Sequence, residues 1–138
     1  MNSTILQIAQ RYVRFLLLVF AVIALVRGHN HPGGGFIAGL LAGLSMVMKG
    51  FAYDIEVVSK QMKFTPEHLM AFGIFLILAS MLPSMIDGSS FMTGYWLQLK
   101  IPLLGELKLG TPFLFDIGVF FGVIGITRLF FFSLKRAE

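Results

Sequence analysis

The sequence predicts an all-α integral membrane protein with four transmembrane helices and a short extracellular β-hairpin-like segment before the last helix. Hydrophobic residues make up 57% of the 138 residues and charged residues only 13%, whereas about 25% charged is usual in soluble proteins. A soluble domain of this size buries only about two-thirds of its chain surface, so it could not hide this much apolar surface. The second observation is a set of four apolar segments of about 20 residues, the length that a transmembrane helix needs.

The composition excludes several classes of protein. Such an apolar chain is not a soluble enzyme, a disordered chain or a nucleic-acid-binding protein. Cysteine is absent, so neither disulfides nor thiolate metal sites are expected. The sequence contains no nucleophile–base pair and no cofactor motif, and we therefore expect no enzyme activity and no cofactor. Residues 1–138 are expected to form a single membrane domain, which suits the length of the chain.

The first two predicted helices cover residues of about 5–26 and 34–53. Arg11 and Arg14 interrupt the start of the first, but the segment still reaches roughly 30 Å as a helix, enough to span a bilayer. A signal peptide is disfavoured, because no small-residue cleavage site follows the apolar core. The second segment is apolar apart from one serine and Lys49. Continuous apolar runs favour helices over barrel strands, which would alternate with a period of two.

The third and fourth predicted helices cover residues of about 67–86 and 113–134. Thr65 is a suitable N-cap for the third helix, and Pro66 follows at its first helical position. A second Thr-Pro pair, beginning at Thr111, precedes the fourth helix. The two pairs mark helix starts independently of the apolar pattern.

The segment between the last two helices, about 96–110, is predicted to form a β-hairpin. Leucines alternate with polar residues on both sides of Gly105, and a period of two indicates strands. A loop at residues 102–104 would place Lys100 opposite Glu106. An irregular loop is the alternative. Because an isolated hairpin is only marginally stable in water, we expect this one to lie on the outer membrane surface or against a partner protein.

The distribution of basic residues predicts the orientation. With both termini in the cytoplasm, eight of the 11 Lys and Arg residues lie toward the cytoplasm and three lie outside. An excess of Lys and Arg is typical of cytoplasmic helix ends. We therefore expect a multi-pass protein of the cell membrane with both termini cytoplasmic.

Small residues recur on helix faces of the second and fourth predicted helices. Gly35, Gly39 and Gly43 are spaced every four residues, and Gly118 and Gly122 repeat this spacing. Faces without side chains let helix backbones approach closely in membranes. The stripes predict tight packing against other helices, of this chain or of a partner.

The segment before the second helix is unusually rich in glycine. Three glycines follow Pro32, and Phe36 comes directly after them. This pattern predicts either a hinge, or a loop that enters the membrane near another backbone, or a tight turn between the first two helices. His29 and His31 lie just upstream, and histidine can relay protons or bind metal because it titrates near neutrality. No third ligand lies nearby, so no metal site is expected, and hydrogen bonding within the loop is the simpler interpretation.

Ionisable residues within membrane helices are costly, so each is a functional candidate. Asp116 lies about 7 Å along the helix from Thr111, the expected N-cap, and a helix N-terminus favours a carboxylate. It could coordinate a cation, relay a proton, pair with a base on another subunit, or anchor the hairpin through backbone N–H groups. Lys49 lies near the cytoplasmic end of the second helix, where it could reach the interface or serve a proton pathway. Arg128 suits the interface better.

Two motifs resemble a known family. Residues 28–40 read GHNHPGGGFIAGL, which resembles the signature of the B subunit of Mrp-type (Mnh-type) monovalent cation/proton antiporters. The same signature occurs in the C-terminal portion of the family's large A subunit. Residues 111–119, TPFLFDIGV, are similar to the last helix of that family. His31 stands where the family has a small residue, and Ala38 stands where glycine is common.

The resemblance implies one component of a larger assembly rather than a transporter by itself. Antiporters of this type are hetero-oligomers of six or seven membrane proteins that exchange cytoplasmic sodium for external protons, driven by the proton-motive force. The implied partners are the other Mrp-type subunits and the lipid bilayer of a prokaryotic cell membrane, and sodium and protons are the ions that the complex transports. The candidates for the ion route or its coupling are Asp116, Pro32, Phe36, Lys49 and His29. No catalytic residue is expected.

Two other functions compete with this interpretation. One is a self-contained small four-span exporter that works as a homodimer. Such an exporter usually needs a deeply placed acid, commonly in its first helix, and the first predicted helix has none. The other is a membrane assembly factor without transport chemistry. The glycine stripes would also suit an assembly factor.

Overall fold

The computed structural model describes residues 3–27, 33–90, 94–101 and 105–137. Its elements in chain order are α1 (Thr4–Arg27), α2 (Gly35–Ala52), α3 (Ile55–Gln61), α4 (Pro66–Ile86), β1 (Trp96–Ile101), β2 (Gly105–Gly110) and α5 (Thr111–Ala137). Within this part of the chain, α1, α2, α4 and α5 are long and apolar enough to cross a membrane. The four predicted spans are therefore confirmed as helices, and their ends differ from the predicted ones by at most three residues.

A short helix, α3, occupies a stretch that the sequence does not mark as helical. It has seven residues and lies between Asp54 and Met62. Val58 is fully buried, whereas Glu56 and Lys60 are exposed. Two turns are too few for the helical period of 3.6 residues to stand out from the sequence.

α2 and α5 are the two inner helices of the bundle. α2 packs against both α1 and α5, and α5 also packs along α4. The buried side chains of Ala21, Ala42 and Ile124 form the apolar core between these helices. Two of the three are alanines, which is expected where helix backbones approach closely.

The glycine stripe of α2 faces α5 of the same chain. A Cβ atom on Gly39 would lie 2.7 Å from Cβ of Val123, and one on Gly43 would lie 2.8 Å from Cβ of Thr127. Gly35 lies closer still to α5, because a Cβ atom there would overlap the backbone of Asp116. Since no side chain fits at these positions, glycine is what allows α2 and α5 to pack backbone to backbone.

The contact between α4 and α5 also depends on glycine. A Cβ atom on Gly118 would lie 2.7 Å from the carbonyl oxygen of Gly73, whereas one on Gly122 would meet nothing within 4 Å. The backbones of Gly118 and Gly122 both lie against Gly73 of α4, but only at Gly118 would an added Cβ atom meet that helix. Gly73 of α4 takes the central position, because its own Cβ would lie 2.7 Å from the backbone nitrogen of Gly122.

The two Thr-Pro pairs begin their helices differently. Thr65 caps α4 as predicted, since its hydroxyl accepts a hydrogen bond from the backbone N–H of His68 at 3.3 Å. Thr111, by contrast, is the first residue of α5 rather than its N-cap. Its backbone N–H donates to the carbonyl oxygen of Tyr95 at 3.1 Å, and its hydroxyl accepts from the N–H of Tyr95 at 3.2 Å. These bonds hold Thr111 against the residue that precedes β1.

β1 and β2 form an antiparallel pair directly before α5. Their register places Lys100 opposite Glu106 and Leu99 opposite Leu107, which is the pairing that the alternation of the sequence implies. The loop predicted at residues 102–104 lies outside the described residues. Because α5 begins at the residue after β2, no linker separates this pair from the last helix.

Candidate functional site

The start of α2 is shaped by Gly34. This residue has a φ of 106°, a left-handed conformation that glycine adopts without steric cost. Its N–H donates to the carbonyl oxygen of Ala24 on α1 at 3.0 Å, and its own carbonyl accepts from the N–H of Ala38 at 3.0 Å. The two hydrogen bonds join the end of α1 to the first turn of α2 and fix where α2 begins.

The carboxylate of Asp116 lies beside this helix start. Its Oδ2 atom is 3.9 Å from the position of a Cβ atom on Gly34, and its backbone contacts Gly35. Asp116 is half-buried in the second turn of α5. The first N–H groups of a helix lack intrahelical acceptors and carry a partial positive charge. The N-terminus of α2 therefore favours a negative charge at Asp116.

This arrangement limits the chemistry that Asp116 can perform. A half-buried carboxylate at a helix start can serve as a cap, bind a cation or exchange a proton with a neighbouring group. Within the described residues, no three His, Asp or Glu side chains gather as a metal site. The sequence suggests a cation, a base on another subunit or backbone N–H groups of the hairpin as partners for Asp116, and the structure adds the N-terminus of α2.

The other predicted candidates near this site are only partly described. Phe36 lies in the first turn of α2, and 58% of its surface is exposed. Pro32 and His29 lie outside the described residues. The structure thus brings together Gly34, Gly35 and Asp116, and it leaves the ring of Phe36 at the surface of the chain.

Lys49 belongs to a separate site at the other end of α2. It lies roughly 21 Å from Gly35 along the helix axis, by the rise of 1.5 Å per residue. Its Nζ atom donates to Oε1 of Gln61 at 2.7 Å, which ties α2 to α3. The positive charge of Arg14 on α1 also acts on it. Lys49 and Asp116 therefore do not form one site within this chain.

Arg128 is a buried cation. Only 5% of its surface is exposed, because α4 packs over this face of α5. In the described part of the chain its Nε atom has no hydrogen-bond partner, and its guanidinium group lies 5.9 Å from the ring centre of Phe132. Glu67 in the first turn of α4 supplies an opposing charge. A lone charge inside an apolar segment is the sequence signal for such a site.

A family model covers most of the chain. Residues 5–129 match the model of MnhB, a domain related to the MnhB subunit of Na+/H+ antiporter. This chain belongs to the MnhB family. Two similar proteins are named as the B subunit of a Na(+)/H(+) antiporter. The one from Alkalihalophilus pseudofirmus is 34% identical over 99% of this chain and 95% of its own length, and the one from Bacillus subtilis is 35% identical over 99% and 96%. A putative antiporter subunit, mnhB2 of Staphylococcus aureus, is 30% identical over 97% and 95%.

The MnhB fold also recurs in a solved complex. One chain in the structure of the Mrp complex from Dietzia sp. DQ12-45-1b matches with a TM-score of 0.67 and 24% sequence identity. The match covers 92% of this chain but only 14% of that one. The same arrangement of helices is thus found as one part of a much longer chain.

Proposed function

We propose that this MnhB-family chain is a non-catalytic small subunit of a hetero-oligomeric sodium/proton antiporter of the Mrp type, driven by the proton-motive force. The observation that carries the proposal is a match over at least 95% of the length of two proteins that are named as Na(+)/H(+) antiporter B subunits. A chain that matches such subunits from end to end suits the same position in a complex. Its partners are then the other Mrp-type subunits, and the complex transports sodium and protons.

The exposed surface of α1 supports a place among partner subunits and lipid. Phe15 is 67% exposed, Val22 is 61% exposed and Phe20 is 57% exposed. An exposed apolar surface of this kind marks contact with membrane or protein. Since α2 packs against both α1 and α5, we treat residues 1–138 as one domain. We place this domain in the cell membrane of a prokaryote.

The placement of basic residues supports the proposed orientation. Arg14 and Lys49 lie near each other at one end of the bundle. Lys135 of α5 reaches the same end, because its Nζ atom donates to the carbonyl oxygen of Gly50 at 3.4 Å. Basic ends of membrane helices favour the cytoplasmic side. We therefore place both termini in the cytoplasm, and the paired strands outside with Asp116.

Asp116 and the start of α2 are the proposed contribution of this chain to the ion route. In the proposed orientation the carboxylate lies near the outer face, where external protons enter. The N-terminus of α2 lies beside this carboxylate, and the close contact at Gly35 fixes its position. Pro32, Phe36 and His29 belong to the same segment of sequence. Lys49 is a candidate for the cytoplasmic end of the route.

Co-purification tests the proposed assembly. A chain with a C-terminal affinity tag, expressed with its natural partners, should recover the other Mrp-type subunits in mild detergent. Gly39→Leu should reduce that recovery, because leucine cannot fit between α2 and α5. Leu40→Ala is the matched control, since Leu40 is 44% exposed on the same helix. Recovery of the tagged chain only as a homodimer would instead favour the self-contained exporter.

A further inference from the structure

A cavity of about 620 Å³ opens where the N-terminal half of α1 meets the end of α2 and α3. Arg11 and Arg14 of α1 and Lys49 of α2 line it, together with the amides of Gln10 and Gln61. None of its described lining residues is acidic. We call this space the basic cavity.

Two buried polar groups of the basic cavity have no hydrogen-bond partner in the described part of the chain. Gln10 is only 5% exposed, and its Oε1 atom is one of them. The Nε atom of Arg14 is the other. A guanidinium N–H can only donate, so the Nε atom of Arg14 needs an acceptor, whereas the amide oxygen of Gln10 is itself an acceptor. Because buried polar atoms are normally paired, the guanidinium group of Arg14 suits a ligand that accepts hydrogen bonds.

The charges of the basic cavity point to an anion. Lys49 donates to a neutral amide, that of Gln61, at 2.7 Å. The positive charge of Arg14 opposes that of Lys49, and like charges repel more strongly in a partly buried site than in water. An anion between them would offset this repulsion. A guanidinium fork beside an ammonium group is a combination that recognises phosphate oxygens.

Apart from the hydroxyl group of Tyr53, the remaining lining of the basic cavity is apolar. It includes Phe15 and Leu18 of α1 and Val57 of α3. Phe15 is 67% exposed on the apolar surface of α1. The cavity therefore joins a cationic part to an apolar part that continues along a membrane helix. An anionic phospholipid has the same division, with a phosphate group next to its acyl chains.

We propose that the basic cavity binds the phosphate group of an anionic phospholipid. Arg14 and Lys49 donate to the phosphate oxygens. The acyl chains lie along Phe15 and the apolar surface of α1. Because the site uses residues of both α1 and α2, the bound lipid stabilises the cytoplasmic end of the bundle. Inorganic phosphate shares the recognised chemistry but lacks the apolar part.

Lipid retention by the purified antiporter complex tests this proposal. Native mass spectrometry is used to count phosphatidylglycerol and phosphatidylcholine molecules that stay bound after detergent purification. Wild-type complex should retain one more phosphatidylglycerol than a complex with the double substitution Arg14→Gln and Lys49→Gln. The matched control, Lys60→Gln with Lys63→Gln, removes two positive charges outside the cavity lining. It should retain lipid as the wild type does.

A second measurement distinguishes the lipid from free phosphate. Equilibrium dialysis of the same complexes against radiolabelled inorganic phosphate should show no saturable binding that depends on Arg14 and Lys49. If inorganic phosphate binds saturably through Arg14 and Lys49, and phosphatidylglycerol is not retained, the phospholipid is the wrong ligand. Equal retention of phosphatidylcholine and phosphatidylglycerol by the wild type would overturn the proposal even if the double variant failed to assemble. So would a wild-type complex that retains neither lipid, because a carboxylate of a partner protein would then be the better candidate for the cavity.

Discussion

Gly35 of α2 lies so close to Asp116 of α5 that a Cβ atom on Gly35 would overlap the carbonyl oxygen of Asp116. This contact puts the carboxylate of Asp116 beside the N-terminus of a helix other than its own. The geometry of the site therefore depends on the absence of a side chain at position 35.

Gly35→Ala should destabilise the chain, because the added methyl group meets backbone atoms that cannot move aside without shifting a helix. Overpacking of this kind costs about 1–3 kcal/mol. Gly122→Ala is the matched control on α5, where a Cβ atom would meet nothing within 4 Å, and alanine favours a helix by about 1 kcal/mol. Thermal unfolding of the purified complex should show a lower midpoint for Gly35→Ala and an unchanged or higher one for Gly122→Ala. The reverse order would show that α2 and α5 do not pack in this way.

Asp116→Asn should separate an ion-route role from a structural one. The amide keeps the shape of the side chain but loses the charge that the N-terminus of α2 favours. The variant complex is expected to assemble normally and to lose sodium/proton exchange in inverted membrane vesicles. Asp116→Glu keeps the charge and should retain part of the exchange. Full exchange by Asp116→Asn, or failure of that variant to assemble, would make Asp116 a structural residue.

Glu67 and Arg128 should be energetically coupled. Arg128 is buried and Glu67 supplies its opposing charge, so Glu67→Gln should lower the stability of the chain. In an Arg128→Met background the same substitution should have little effect, because the buried charge is no longer there. Glu56→Gln on the exposed face of α3 is the control and should be neutral. Additive effects of Glu67→Gln and Arg128→Met in this double-mutant cycle would show that the two side chains do not interact.

Tyr95 should ionise at an unusually high pH. Its hydroxyl donates a hydrogen bond to the carboxylate of Asp87, and this bond raises the pKa of Tyr95 above the ordinary value of 10.0. The contribution of the bond to stability is therefore complete below about pH 10 and is lost as the pH rises through the raised pKa of Tyr95. Ultraviolet titration, with Tyr95→Phe as the reference, should show the high pKa, and Asp87→Asn should bring it back toward the ordinary value. An unchanged titration in Asp87→Asn would exclude the hydrogen bond as its cause.

The long helices and the strand pairing follow from local patterns in the sequence. Continuous apolar runs of membrane length predict α1, α2, α4 and α5, and the capping residue Thr65 marks the start of α4. The alternation around Gly105 predicts the register of Lys100 with Glu106. Each of these signals lies within one short segment, which is why it can be read without knowing the rest of the fold.

The relationships that build the candidate sites are not local. The glycine stripe of α2 predicts close packing, but only the fold shows that Val123 and Thr127 of the same chain lie against it. The position of Asp116 beside α2 and that of Arg14 near Lys49 arise from helices that are distant in sequence. Periodicity gives the face of a helix but not the identity of its neighbour, so these contacts could not be predicted from one sequence.

Single-cysteine labelling tests the proposed orientation. The natural chain has no cysteine, so cysteines can be introduced singly at Ser3, Gln61, Ser89 and Ala137. An impermeant thiol reagent added to intact cells should label the cysteine at position 89 and none of the other three, because basic residues favour the cytoplasmic side. Labelling at positions 3 and 137 would place both termini outside and reverse the orientation.

The central claim is that this chain is a subunit required for antiport by a larger complex. Sodium-dependent proton movement in inverted vesicles tests this claim most directly. Vesicles are prepared from cells that express the other Mrp-type subunits with this chain, without it, or with Gly39→Leu in its place, and from cells that express this chain alone. Exchange is expected only when the wild-type chain and its partners are present together, with reduced exchange for Gly39→Leu. Full exchange by the partners without this chain, or exchange by this chain alone, would contradict the account.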